Sequence, residues 1–275
     1  MARSYLAGAS NGSKLLFGGG WRWTSNQKSA FYSQVDVYDA SLTHTTAAEL
    51  SIARGYLAAA AINGNILFVG GTDTTSISDL GKSVVDAYDT NLTRTSPTVS
   101  AGTGRHAGAS NDAYAVFSDN ANGVVTAYDA SLTRKIAAKL GQAGVDSAVR
   151  AGNYVVFVNG ENIYAYDLFL TRVIPEKPTN NAPGRVSTTL KSFGLFLGGI
   201  KHIDNKVTMG NTEIYDPYLT HTFIQNDALK GTGYKDATGA AASVGDFAIA
   251  GGGSSSPWAT GRAAALYDTY AYQYV

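Results

Sequence analysis

The chain of 275 residues contains no cysteine, so it has no disulfide framework, no thiol nucleophile and no zinc–thiolate site. Only 15% of its residues are charged, and 21 basic residues balance 21 acidic ones. A net charge of zero gives no field that attracts nucleic acid or an anionic membrane, so we expect neither as a partner. No apolar run reaches the roughly 18 residues of a membrane span, and the first ten residues lack the basic and apolar regions of a secretory signal.

Glycine and tyrosine are abundant instead, with 31 and 17 copies, as in a compact all-β domain. Six copies of one pattern fill almost the whole chain: a small-residue strand, an apolar strand ending at or near Gly-Gly, and a strand ending in Tyr-Asp. Repeats of roughly 40–50 residues with this strand content indicate a propeller or an array. The Tyr-Asp pairs are Tyr38-Asp39, Tyr88-Asp89, Tyr128-Asp129, Tyr166-Asp167, Tyr215-Asp216 and Tyr267-Asp268.

Copy 2 shows the expected order of strands most clearly. A mostly alanine strand over residues 57–62 precedes Asn63-Gly64, the strongest short hairpin signal. The apolar run of residues 66–69 ends at Gly70-Gly71 and predicts a buried second strand. A third strand over residues 84–88 and a fourth beginning near Thr93 follow, joined by a turn in which the Asp89 carboxylate accepts backbone N–H groups.

We therefore predict an all-β, six-bladed β-propeller, with four antiparallel strands in each blade and each blade contiguous in sequence. The ring is expected to close by side-chain packing of the sixth blade on the first. Residues 1–275 are expected to form a single domain. The predicted blades are residues 1–50, 51–100, 101–140, 141–178, 179–228 and 229–275.

The Gly-Gly strand ends and the Tyr-Asp turns resemble the kelch repeat. Kelch repeats carry a Trp a few residues after the Tyr, whereas here the turn Asp-x-x-Leu-Thr precedes His44, Arg94, Arg134, Arg172 and His221. The variant with Leu-Thr-Arg is similar to kelch-like repeats of bacterial and phage surface proteins. This resemblance implies a role in adhesion or attachment, with an extracellular or virion-associated location if the chain is part of a larger protein.

The loops after the second strand are long in copies 1, 2, 5 and 6, which are consecutive in a ring. All three tryptophans lie in the loops of copies 1 and 6, as Trp21, Trp23 and Trp258, with Tyr32 nearby and His202 in the loop of copy 5. Exposed aromatic rings with polar neighbours suit the face of a sugar or the centre of a protein interface. Alternatively, these rings pin the long loops to one another as a small separate core.

Arginines precede the first strand in several copies. Their guanidinium groups are placed either to ring one mouth of the channel and bind anions, or to satisfy carbonyls and Asp side chains between blades. The first strands themselves carry mainly small side chains, which offer few groups for acid–base chemistry. The arginines are Arg3, Arg54, Arg105 and Arg185.

The sequence therefore favours a non-enzymatic module that binds a glycan or a protein surface, with no catalytic residue, metal or cofactor. One alternative is a carbohydrate-active enzyme, as the resemblance to six-bladed kelch sugar epimerases implies, using Arg105, Arg185, His202 and Asp73 or Asp204. Another is a structural spacer without a ligand. The predicted ligand-binding residues are Trp21, Trp23, Tyr32, His202, Trp258, Arg54 and Arg105.

Overall fold

The structure is a computed structural model, and its described residues divide into two compact units. Unit 1 comprises Met1–Val145 and Leu168–Thr171, and unit 2 comprises Asp146–Asp167 and Arg172–Val275. Within the described part of the chain every regular element is a strand, and none is a helix that could span a membrane. The described residues are 3–23, 29–74, 81–99, 102–104, 106–119, 121–145, 147–179, 185–198, 200–203, 206–209, 211–224, 240–251 and 269–273.

Unit 1 contains three antiparallel sheets of four strands, each contiguous in sequence, and a short hairpin. Sheet 1 is β1 (Ala7–Ser10), β2 (Lys14–Gly18), β5 (Val35–Asp39) and β6 (His44–Thr46), with the hairpin β3 (Trp21–Trp23) and β4 (Ser29–Phe31) inserted after β2. Sheet 2 is β7 (Ala58–Ile62), β8 (Asn65–Val69), β9 (Val85–Tyr88) and β10 (Arg94–Thr95). Sheet 3 is β11 (His106–Ser110), β12 (Ala115–Asp119), β13 (Val125–Tyr128) and β14 (Arg134–Ala137).

Unit 2 repeats this plan in two complete sheets and one of three strands. Sheet 4 is β15 (Ser147–Ala151), β16 (Tyr154–Asn159), β17 (Asn162–Tyr166) and β18 (Arg172–Val173). Sheet 5 is β19 (Val186–Leu190), β20 (Phe193–Leu197), β23 (Thr212–Tyr215) and β24 (His221–Ile224), with the hairpin β21 (Ile200–Ile203) and β22 (Lys206–Met209) inserted after β20. Sheet 6 is β25 (Ala240–Val244), β26 (Phe247–Gly251) and β27 (Thr269–Gln273).

The predicted all-β class and contiguous four-stranded sheets are confirmed for copies 1 to 5. Neighbouring sheets within a unit share apolar cores, because successive side chains of a strand point to opposite faces of its sheet. One cluster joins Leu16 and Val37 of sheet 1 to Ile66 and Phe68 of sheet 2. In unit 2, an equivalent cluster joins residues of sheets 4 and 5, among them Val156 and Phe196.

The third strand of copy 6 differs from the prediction. Tyr267 and Asp268 were expected to end that strand, but β27 begins only at Thr269 and pairs Tyr272 with Ala248. The equivalent pairs elsewhere are Tyr88 with Ile66 and Tyr215 with Gly194, so Tyr272 occupies the repeat position assigned to Tyr267. Residues 269–273 are therefore the third strand, and the prediction that this strand ends at Tyr267-Asp268 was wrong.

The tyrosine of the repeat packs edge-on against the central phenylalanine of the second strand. In sheet 2 the Phe68 and Tyr88 ring centroids are 5.8 Å apart at 85°, and in sheet 5 those of Phe196 and Tyr215 are 6.1 Å apart at 81°. The hydroxyls of Tyr88, Tyr128 and Tyr215 each donate to a carbonyl of the segment before their own sheet, at Ala48, Thr98 and Glu176. Burial raises the pKa of each of these hydroxyls above its ordinary value.

Tyr215→Phe is expected to lower the free energy of unfolding by roughly 1–3 kcal/mol, because the carbonyl of Glu176 loses its hydrogen-bond donor. The matched control is Tyr218→Phe, since Tyr218 is 86% exposed. The free energy of unfolding of this variant is expected to stay within about 0.5 kcal/mol of the wild type. Urea unfolding of both variants measures the difference. Equal stability of the two variants would contradict the prediction.

The turn after the Tyr-Asp pair has the same geometry in copies 1, 2, 3 and 5. One carboxylate oxygen of Asp39 accepts from the backbone N–H groups of Ser41 and Thr43 at 2.8 and 2.9 Å, and the same bonds recur at Asp89, Asp129 and Asp216. The prediction that this carboxylate caps the turn is confirmed. The leucine of each turn adopts a left-handed φ of 60–66°, at Leu42, Leu92, Leu132, Leu170 and Leu219.

Leu42→Asn is expected to raise the free energy of unfolding by roughly 0.5–1 kcal/mol, because asparagine tolerates the left-handed region better than leucine. Leu42 is 77% exposed, so little packing is lost. Leu219→Asn is the control, because Leu219 is only 9% exposed within an apolar cluster and its replacement is expected to cost about 2 kcal/mol or more. Destabilisation by both substitutions would show that backbone strain at Leu42 is negligible.

Candidate functional site

The candidate site lies in unit 1, where sheet 1 leads into the hairpin β3–β4. Gly19 and Gly20 both have positive φ values, 71° and 103°, which glycine adopts without steric cost. A Cβ at Gly19 would lie 2.4 Å from the carbonyl oxygen of Arg54, so the chain passes too close for any side chain. This turn directs the backbone of Trp21 onto Ser4, with which it exchanges two hydrogen bonds of 2.9 Å.

Four aromatic rings stack at this point. The centroids of the Tyr5 and Tyr56 rings are 4.1 Å apart at 28°, and those of Tyr5 and Trp21 are 6.0 Å apart at 10°. Trp21 also lies nearly parallel to Tyr56 at 6.3 Å and to Phe31 of β4 at 6.2 Å. The four residues Tyr5, Trp21, Phe31 and Tyr56 are called the aromatic stack below.

Tyr5 and Tyr56 are the residues that sequence reasoning missed. Both hold a left-handed backbone, with φ values of 55° and 59°, and the N–H of Tyr56 donates to the carbonyl of Tyr5 at 2.9 Å. A bulky residue in this region is strained, and such strain persists only where the surroundings enforce it. The repeated tetrapeptides Arg3-Ser4-Tyr5-Leu6 and Arg54-Gly55-Tyr56-Leu57 were a sequence signal that these two tyrosines are equivalent.

Exposure divides the members of the aromatic stack. Trp21 is only 9% exposed, which agrees with the interpretation that this ring pins the loops together. Tyr5 is 43% exposed and presents its ring to solvent. Tyr32 follows the hairpin, half-buried, with the Arg22 guanidinium 5.9 Å from its ring centroid in a cation–π contact. Tyr5, rather than Trp21, therefore supplies the exposed aromatic surface of this site.

Arg54 has no exposed surface, and its guanidinium is held within sheet 2. It donates to Asp86 at 2.8 Å and to the carbonyls of Gly70 and Phe68 at 2.8 and 3.2 Å. Burial lowers the pKa of Arg54, while the Asp86 charge opposes that effect. Arg54 therefore satisfies carbonyls and a carboxylate, as in the second interpretation, but within sheet 2 rather than between blades. With no exposed surface, it is not available to contact a ligand.

Arg3 occupies the same repeat position in sheet 1 and pairs with Asp36. Burial raises the pKa of Asp36, but hydrogen bonds from His44 and Gln34 and the charge of Arg3 outweigh it and hold that pKa below its usual value. His44 and His221 lie in the outer strands and bond to Asp36 at 3.0 Å and to Glu213 at 2.6 Å. Both histidines therefore make hydrogen bonds to carboxylates of their own sheets.

The remaining predicted residues are only partly described. Trp23 ends β3 opposite Ser29, and His202 of β21 pairs with Val207 of β22. The side chains of Trp23 and His202 lie outside the described part. Trp258, Arg105 and Asp204 lie wholly outside it. Arg185 is 3% exposed and donates to the carbonyl of Gly160 at 2.7 Å, and Asp73 pairs with Lys82 at 3.1 Å. Over the described residues, no group of three His, Cys, Asp or Glu side chains could hold a metal ion.

Comparison with known proteins gives a likeness in structure and none in sequence. No family model matches the chain, and no curated protein matches it. The chain is similar to the solved structure of YjhT, with a TM-score of 0.64 and 12% sequence identity over 98% of this chain and 95% of that one. At this identity the likeness shows the fold alone.

Proposed function

We propose that this chain is a six-bladed, kelch-like β-propeller that acts as a non-enzymatic binding module for a glycan or a protein surface. The six repeated sheets support the propeller. The kelch-like turns support a role in attachment at a bacterial or phage surface. Binding, rather than turnover, is the function proposed.

The observation that carries this proposal is the aromatic stack, in which Tyr5 is exposed. A planar ring held by two others, as Tyr5 is by Trp21 and Tyr56, loses little side-chain entropy when a ligand covers it. Arg22 of the hairpin β3–β4 is also exposed and can donate hydrogen bonds to a ligand's oxygens. Functional residues also concentrate in loops that a rigid sheet positions, and the hairpin β3–β4 is such a loop.

Tyr5→Asn tests this site. The change removes the exposed ring while asparagine tolerates the left-handed backbone, so folding is expected to survive. A glycan array and a panel of purified bacterial surface proteins are probed with the wild type, Tyr5→Asn and Tyr218→Asn. We expect a hit that Tyr5→Asn weakens at least about tenfold, or 1.4 kcal/mol, and that Tyr218→Asn retains.

Two results would count against the proposal. A hit that Tyr5→Asn leaves unchanged would place recognition elsewhere on the chain. Silence of the wild type on both panels would favour the structural spacer.

A further inference from the structure

The outer strand of each sheet is an edge, and edges expose unpaired backbone groups that can join another chain. Proteins protect such edges with Lys or Arg, proline or very short strands. Three of the five outer strands begin with arginine and two of these are only two residues long: β10 (Arg94–Thr95), β14 (Arg134–Ala137) and β18 (Arg172–Val173). Strand β14 adds Lys135 to its arginine.

Strand β24 lacks these protections. It is four residues long, His221–Ile224, with no Lys, Arg or Pro, and no described strand pairs with its outer edge. Phe223 is 50% exposed and Ile224 38% exposed. The one ionisable side chain, His221, is only 4% exposed and contacts the buried Glu213 carboxylate at 2.6 Å. This edge therefore presents apolar surface without a free cation.

The register of sheet 5 identifies which groups of β24 point outward. The N–H of Asp216 donates to Thr220, so hydrogen-bonded pairs continue at Ile214 with Thr222 and at Thr212 with Ile224. The N–H and C=O groups of His221 and Phe223 consequently point away from the sheet. Their rings lie on one face, with centroids 6.5 Å apart at 22°, and His221 stacks in turn on Tyr215 at 5.0 Å.

We propose that β24 is a self-association edge that pairs with β24 of a second copy of this chain. A two-fold, antiparallel pairing opposes His221 to Phe223 of the second copy and Phe223 to His221, with Thr222 facing Thr222 at the axis. All outward backbone groups of the two strands then bond reciprocally, as an isologous interface requires.

The absence of Lys and Arg from β24 permits a second copy of this strand as the occupant. Two β14 edges would oppose like charges at Arg134 and Lys135, and like charges directly across strands are destabilising. Two β24 edges meet without that repulsion, and the ring of each His221 is bonded to Glu213 of its own sheet. The pairing is short, so the dimer is weak and depends on protein concentration.

The repeats supply matched variants. Thr222→Lys places a charge at the proposed axis. Thr45→Lys is the control, because it places the same charge at the equivalent position of β6 in sheet 1. The positions are equivalent because Thr45 pairs with Val37 as Thr222 pairs with Ile214. Phe223→Thr gives β24 the residue found at the equivalent position of β6, Thr46.

Sedimentation velocity of the full chain over increasing concentration tests the proposal. We expect a species of twice the 28.8-kDa chain mass, weakened at least about tenfold by Thr222→Lys and by Phe223→Thr but not by Thr45→Lys. Hydrogen exchange of the wild type is a second readout, in which the amides of His221 and Phe223 are expected to gain protection at high concentration. A chain that stays monomeric, or a dimer that Thr222→Lys leaves intact, would overturn the proposal.

Discussion

Asp86→Asn is expected to lower the free energy of unfolding by roughly 3–5 kcal/mol, because it leaves the buried guanidinium of Arg54 without its counter-charge. Neither Arg54 nor Asp86 has exposed side-chain surface, and their closest atoms are 2.8 Å apart. Asp86 also accepts from Arg94 at 2.9 Å and from the backbone and hydroxyl of Ser51. Asparagine keeps the shape of the side chain but replaces one acceptor oxygen with an NH2 donor, so the loss reports the charge together with a hydrogen bond.

The control for this prediction is Asp73→Asn. Asp73 pairs with Lys82 at 3.1 Å, but the two side chains are 39% and 33% exposed, so solvent screens the pair. Removing it is expected to cost less than about 1 kcal/mol. Urea unfolding of both variants gives the comparison, and a loss at Asp86 as small as that at Asp73 would show that water reaches Arg54.

Trp21→Ala is expected to lower the free energy of unfolding by roughly 3–5 kcal/mol, the usual cost of truncating a buried tryptophan. Trp21 contacts the rings of Tyr5, Tyr56 and Phe31, and Gly55 lies against its indole, where a Cβ would approach to 3.1 Å. Loss of ligand binding in this variant would therefore report misfolding of the site rather than loss of a contact.

Tyr5→Asn is the partner of this experiment, because it is expected to remove binding while leaving the unfolding midpoint within a few degrees of the wild type. Thermal unfolding followed by circular dichroism distinguishes the two variants. If Trp21→Ala keeps full stability, the ring is not part of the core and its direct contact with a ligand becomes the better explanation.

The fold was predictable from sequence where its cause is local. The pairs Gly19-Gly20 and Gly70-Gly71 indicate positive φ values, which only glycine adopts freely. Asp39 indicates a turn that its own carboxylate caps. The Gly-Gly pair recurs in copies 1, 2, 5 and 6 and the Asp-x-x-Leu-Thr turn in copies 1 to 5, so the strand order follows from the repeat. The third strand of copy 6 was predicted wrongly because tyrosines at 267, 270 and 272 allow several strand registers. No Leu-Thr turn follows them to select one register.

The candidate site was less predictable because it depends on contacts between copies. Trp21 and Tyr32 were identified from their loop, but whether Trp21 is exposed depends on Tyr56, which belongs to the next copy. Arginine is a residue type typical of anion-binding sites, but Arg54 forms a buried ion pair with Asp86 inside sheet 2. Burial of this kind follows from packing, which a pattern of residue types does not encode.

The Asp-capped turns have a consequence for how this chain can be altered. Each turn is held by one carboxylate and backbone N–H groups, so the side chain two positions after the Asp is not needed for the turn itself. That position already holds Ser41, Asn91, Ser131, Phe169 and Tyr218. It is a natural place to graft recognition residues or labels, one on each repeat, without disturbing the strands on either side.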